Sequence, residues 1–179
     1  MQHFQFYSAK SLSDALRFLS EKGHQTRIIA GGTDLIPQLR QEDSRPEFVL
    51  NILEIEGLKG ITERNHTLRI GSTTTHTQLM ESDILQKLCP ALGQAAASVG
   101  GPLIRNRGTI GGNIANASPA ADLAPALLTL DAEAAIMSEK GTRVVALKDF
   151  FTGPGKTALN PDELLVEISI PLPKGKSVF

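Results

Sequence analysis

Two glycine pairs, each followed or preceded by a threonine inside an apolar run, are the residues of this chain best suited to chemistry. The first lies in Ile28, Ile29, Ala30, Gly31, Gly32, Thr33, Asp34 and Leu35. A β-branched run ends in two residues without Cβ atoms and gives way to a helical pattern. Gly31 and Gly32 let a ligand touch the backbone. Consecutive N–H groups can then point at an anion, helped by the positive partial charge of the next helix start. A pyrophosphate can be held in this way without a lysine. The same residues also suit a plain strand–turn–helix connection. They are not a dinucleotide fingerprint, because no G-x-G-x-x-G is present.

The second pair lies in Thr109, Ile110, Gly111, Gly112 and Asn113, followed by Asn116 and Asp122. Asn113 and Asn116 carry amides that can turn to backbone or to ligand. Asp122 is the one acid in an apolar stretch and stands near the start of a helical pattern. It reads either as a helix N-cap, worth about 1 kcal/mol, or as an acceptor for a sugar hydroxyl.

Other chemistry is harder to find. Gly153-Pro154-Gly155-Lys156-Thr157 resembles the end of a phosphate loop, but Phe150 stands where its first glycine belongs and a strand follows instead of preceding. Lys156 is left as a solvated loop lysine or a ligand contact. His3, His24, His66 and His76 have no metal-ligand spacing and read as surface or turn residues. No serine sits in G-x-S-x-G, and Cys89 before Pro90 reads as a buried structural thiol. Two glycine cradles without an acid, base or nucleophile set point to a bound cofactor that supplies the reactivity. No catalytic residue and no metal ligand is assigned.

The elements that must position these residues follow from periodicity. Residues 4–7 read as a strand. Leu12, Ala15, Leu16 and Leu19 form one face of a helix with Ser11 or Ser13 as cap and Gly23 as stop. Residues 27–30 read as a strand, residues 35–40 as a helix capped by Thr33, and residues 48–52 as a strand. The order β-α-β-α-β predicts a small α/β lobe over residues 1–55. Beyond it, residues 60–64 and 67–73 read as a hairpin around Asn65. Short helices follow over 75–80, 83–88 and 90–98, and a buried one over 120–130. A second hairpin pairs residues 132–137 with 142–147. A last strand over 164–170 is halted by Pro171 and Pro173.

Composition bounds the rest. The 179 residues include 18 basic and 19 acidic ones, a net charge of −1, which argues against a nucleic-acid binder, since that would show a basic excess or stripe. The hydrophobic share of 41% is enough for a real core. One cysteine excludes a disulfide framework or an iron–sulfur cluster held by this chain alone. The chain shows neither a signal-peptide pattern at its start nor an apolar run of about 18 residues, so a cytoplasmic protein without a membrane span is expected.

Taken in order, the motifs resemble those of the FAD-binding subunits of molybdenum hydroxylases. That group includes the xanthine dehydrogenases, the medium subunit of aerobic carbon monoxide dehydrogenase and 4-hydroxybenzoyl-CoA reductase. The resemblance rests on Ala30-Gly31-Gly32-Thr33-Asp34, on Thr109-Ile110-Gly111-Gly112-Asn113 and on Ser118-Pro119-Ala120-Ala121-Asp122. It extends to residues 4–7 with the helix after them, to residues 68–75, similar to the family's Ile-Gly-Ala-type strand, and to residues 100–107, 150–159 and 162–168. It covers essentially the whole chain.

The resemblance implies an α+β fold, a two-lobed FAD-binding domain of the vanillyl-alcohol-oxidase/PCMH type, with lobes at 1–55 and 56–179. It implies that residues 29–35, with Ile28 beside them, and residues 109–113 wrap the pyrophosphate and adjoining sugar of FAD. Gly101 would pass close to the cofactor, Asp122 would accept from a sugar-chain hydroxyl, and Leu165 would lie near the isoalloxazine. Pro154 and Gly155 replace the Tyr-Arg of many relatives, so only Lys156 inherits a role there. Relatives continue into a further small α/β domain, and the sequence ends at Ser177-Val178-Phe179, so the family's C-terminal domain is expected to be lacking. The implied partners are a molybdenum-cofactor large subunit and a [2Fe-2S] small subunit, with NAD or another acceptor taking the electrons. A stand-alone flavin oxidase or reductase of the same fold and a degenerate assembly module are the alternative readings.

Overall fold

The computed structural model describes residues 4–41 and 46–172. His3, Pro173 and the segment 177–179 lie outside the described residues.

The first part of the chain runs β1 (Gln5–Ser8), α1 (Leu12–Lys22), β2 (Thr26–Ile29), α2 (Leu35–Arg40) and β3 (Phe48–Asn51). The three strands form a parallel sheet in the order β1-β3-β2, with Phe48 opposite both Gln5 and Thr26. The expected β-α-β-α-β alternation is present, and α1 is built as its pattern requires. Ser11 accepts from the Asp14 N–H, while Ala15, Leu16 and Leu19 are buried. One cap differs from expectation. Asp34, not Thr33, occupies the N-cap position of α2, and its side chain makes no capping bond.

The second part holds β4 (Ile61–Arg64), β5 (Thr67–Gly71), β6 (Glu133–Ser138), β7 (Gly141–Ala146) and β10 (Leu164–Pro171), in a five-stranded antiparallel sheet of order β4-β5-β10-β6-β7. Asn65 and His66, with φ of 54° and 57°, make the tight turn of the first hairpin. Strand β10 includes Pro171, opposite Thr67, as its last residue, one position beyond the expected end at residue 170. Proline lacks an N–H but can end a strand where no bond is asked of it. Between β5 and β6 lie α3 (His76–Met80), α4 (Asp83–Leu88), α5 (Pro90–Ser98), α6 (Pro102–Arg105), α7 (Ile110–Asn116) and α8 (Leu123–Thr129). After β7 come α9 (Leu147–Phe150) and the short pair β8 (Phe151–Gly153) and β9 (Lys156–Thr157). The helices α6, α7 and α9 and this pair are absent from the sequence reading: α6, α9 and the pair are two to four residues long, and α7 carries Gly111 and Gly112 in its first turn.

The five-stranded sheet is covered on both faces. Ala134, Ile136, Leu165, Ile168 and Ile170 face a core shared with α3, α5, α7 and α8. Ala135, Met137, Leu164 and Val166 face the other way, onto α1 and β3 of the parallel sheet. Alternation along one central strand therefore joins the two sheets into one body. The register shift between Leu165 and Glu167 inverts the parity of β10, so that Leu165 and Ile168, three residues apart, face the same core. Cys89 is 1% exposed between α4 and α5, and burial raises its thiol pKa.

Helix α7 is seated by glycine. A Cβ on Gly111 would stand 2.6 Å from both Cβ and O of Ser72. Gly111→Ala is expected to cost about 1–3 kcal/mol by overpacking. A lower urea midpoint at unchanged slope checks this.

Candidate functional site

A cleft of about 550 Å³ opens between the parallel sheet and the helical side of the larger sheet. One wall is the turn from β2 to α2. Gly32 has φ of +77°, a conformation that turns successive N–H groups toward one side. Among the described residues, the N–H groups of Gly31, Gly32, Thr33, Asp34 and Leu35 donate to no protein acceptor, the first α2 bond being Ile36 N–H to Gly32 O at 3.1 Å. This turn has the form of an anion cradle.

The opposite wall is built by two segments lying side by side. Ser72 O accepts from Gly111 N–H at 2.8 Å, Thr74 O from Ile110 N–H at 2.9 Å, and Gly108 O from His76 N–H at 3.0 Å. Thr109 Oγ1 accepts from Gly112 N–H at 3.1 Å. The second glycine pair is therefore unlike the first. Its glycines lie in the first turn of α7, and the N–H groups of Ile110, Gly111 and Gly112 already have partners. What this wall offers the cleft is side chains.

The residues expected at the site fall as follows. Ile28, Ile29, Ala30, Gly31, Gly32, Thr33, Asp34 and Leu35 line the cleft, as do Thr109, Gly111, Gly112, Asn113, Asp122 and Leu165. Ile110 does not, because its side chain is wholly buried in the larger core. Gly101 is exposed at the N-cap of α6, with Val99 and Ile104 reaching the cleft on either side of it. Lys156 is exposed on β9, away from the lining. Asp122 takes the N-cap position of α8 but makes no side-chain capping bond, which leaves its carboxylate to the cleft. The amide of Asn116 is used between the walls, accepting from Gln38 Nε2 at 3.4 Å.

Two residues correct the sequence reading. His76 is no surface histidine. It is 2% exposed and lines the cleft. Burial, opposed by Asp122 and reinforced by Arg105, lowers its pKa to about 4, so the ring is uncharged near neutrality. Ser72, which belongs to neither glycine motif, is equally buried and lines the same cleft. Thr75 with Gln78 forms a capping box that marks the start of α3 at His76, but the burial of His76 comes from packing that no spacing shows.

The third side is the loop before β10, where Leu159, Asn160, Pro161 and Glu163 line the cleft. Glu163 accepts from Arg143 Nε and Nη2, both at 2.7 Å, and from the Asn160 N–H at 2.8 Å. The Arg143 fork holds the Glu163 pKa at about 2, below its ordinary 4.5. A depressed carboxylate pKa stabilises the fold above the unfolded value, and that contribution is lost as pH falls from about 4.5 toward about 2. Glu163→Gln is expected to lower stability at neutral pH and to flatten the acid limb between those values. Urea melts at stepped pH read both effects.

Residues 2–173 match the sequence family described as the FAD binding domain in molybdopterin dehydrogenase. The xanthine dehydrogenase FAD-binding subunit of Escherichia coli O157:H7 is 43% identical over 167 residues, covering 93% of this chain and 57% of that protein. Carbon monoxide dehydrogenase from Hydrogenophaga pseudoflava superposes with a TM-score of 0.92 at 34% identity, over 95% of this chain and 59% of that one. Quinoline 2-oxidoreductase from Pseudomonas putida 86 does so with a TM-score of 0.92 at 31% identity, over 96% and 60%. The chain thus spans about three-fifths of the length of the relatives it matches. On the family match over nearly its whole length, this chain belongs to the FAD-binding domains of the molybdopterin dehydrogenases.

Proposed function

We propose that this chain is the flavin-carrying part of a molybdenum hydroxylase, an oxidoreductase component that passes electrons from the iron–sulfur clusters of a partner to NAD or another acceptor. The carrying observation is the turn at Gly31–Leu35, whose N–H groups lack protein acceptors among the described residues and whose residues line a cleft with a carboxylate and amide on its other wall. The residues present fit FAD. The volume of about 550 Å³ lies in the ~300–1,000 Å³ range of cofactor sites. The turn suits a pyrophosphate, and the opposite wall suits hydroxyls. Bound FAD supplies the redox chemistry.

The chain's own residues then bind, orient and shield it. Gly31, Gly32, Thr33 and Asp34 hold the phosphates through backbone donors. Asn113 and Asp122 accept from the sugar chain. Leu165, Val99 and Ile104 give the cleft its apolar surface and exclude water. We read the fold as the vanillyl-alcohol-oxidase/PCMH type, divided near residue 55, and the location as the cytoplasm; no helix among the described residues is long and apolar enough to cross a membrane. The single cysteine supports a separate iron–sulfur partner, since one thiol cannot hold a cluster.

The test is anaerobic. The FAD-loaded chain, free of molybdenum and iron, is mixed with an N-heterocycle or an aldehyde and the flavin bands are followed. No bleaching is expected, whereas a reduced [2Fe-2S] partner should bleach them. Bleaching by the small substrate alone contradicts the subunit reading and favours a stand-alone oxidase.

A further inference from the structure

Three buried side-chain atoms find no hydrogen-bond partner among the described residues: Ser72 Oγ, His76 Nδ1 and Asn113 Oδ1. All three residues line the same cleft. Native proteins pair the large majority of their buried polar atoms, so three orphans on residues that line one cleft point to a ligand that completes them there. Asn113 belongs to the second glycine motif. Ser72 and His76 belong to neither motif, and each is 2% exposed.

Their positions are fixed by the backbone. The bonds from Gly111 N–H to Ser72 O and from His76 N–H to Gly108 O lock both residues to the start of α7. The imidazole is packed against the Gly108 backbone, where an added Cβ would meet its Cδ2 at 2.9 Å.

Charge decides which part of the cofactor meets this wall. The Gly31–Leu35 turn offers donors and suits an anion. The opposite wall offers a hydroxyl, an uncharged imidazole and an amide oxygen, with the Asp122 carboxylate alongside. A phosphate there faces a like charge, whereas a polyol can both donate and accept. Resting on the FAD reading above, we propose that Ser72 and His76, together with Asn113, hold the hydroxyl-bearing ribityl chain of FAD. His76 thereby becomes a cofactor-positioning residue outside the glycine motifs.

The test titrates the cofactor-free chain with three probes: FAD, riboflavin, which has the ribityl chain and no phosphate, and ADP, which has the pyrophosphate and no ribityl chain. Flavin fluorescence reports the first two and calorimetry the third. Ser72→Ala and His76→Leu should each weaken FAD and riboflavin by about fivefold or more and leave ADP unchanged. His76→Asn, which keeps a polar atom near the Nδ1 position, should stay within about twofold of the wild type. Melting curves confirm folding, and if His76→Leu fails to fold, Ser72→Ala decides. Unchanged riboflavin affinity in Ser72→Ala overturns the proposal, as does an equal loss for ADP. A wild-type chain that binds no FAD overturns the cofactor reading itself and this proposal with it.

Discussion

Gly32→Val is expected to abolish useful FAD binding while the chain remains folded. Gly32 sits at φ of +77°, where a β-branched residue is strained. Its added Cβ would also stand 2.9 Å from Ile36 Cδ1 and 3.1 Å from Ile29 Cδ1. Those are the far ends of flexible side chains, so packing alone can relax. The backbone cannot relax without rotating the N–H groups of the turn away from the cleft. A bond from a backbone donor to a charged phosphate is worth about 1.5–3 kcal/mol, and losing two of them lowers affinity by about a hundredfold or more. Strain adds about 1–3 kcal/mol against stability. The measurement is FAD affinity by fluorescence quenching, with a thermal melt alongside. Gly57→Val is the control, since nothing lies within 4 Å of its added Cβ. A Gly32→Val protein that retains stoichiometric yellow cofactor at wild-type affinity contradicts the phosphate assignment.

Gly31→Ala should damage stability and binding together. A Cβ there would lie 1.9 Å from the Arg107 carbonyl oxygen and 3.0 Å from Gly108 Cα. Both are backbone atoms, so no rotamer change removes the clash. The turn and the segment leading into α7 must separate, and they are the two walls of the cleft. The cost is at least the upper part of the ~1–3 kcal/mol range for overpacking. At roughly 2–4 °C per kcal/mol for a chain of this size, the midpoint should fall by about 6 °C or more. FAD should no longer restore it. A wild-type melting temperature in this variant would show that the walls do not depend on this contact.

The sequence carried the long elements and the first cradle because those are local. The period of Leu12, Ala15, Leu16 and Leu19 names α1, and Gly31-Gly32 after a β-branched run names a turn. The second glycine pair looked alike for the same local reason, yet its neighbours decide its role. Ser72 and Thr74, nearly forty residues earlier, take the N–H groups of Gly111 and Ile110. No spacing rule shows that. The orphaned atoms of Ser72 and His76 are likewise a tertiary fact, produced when β5 delivers its end beside α7. Asp122 was legible as an N-cap position, but the lack of a capping bond depends on where the side chain turns. Ile110 shows the reverse error. It sits inside a binding motif and faces the core, because helix α7 has a buried side as well as a cleft side.

The most direct measurement is a calorimetric titration of the cofactor-free chain with FAD, repeated with excess ADP present. The account predicts saturable, stoichiometric binding that ADP competes away, because the free N–H groups of the Gly31–Leu35 turn are the phosphate site. The absence of saturable binding, or binding that ADP leaves untouched, would contradict it.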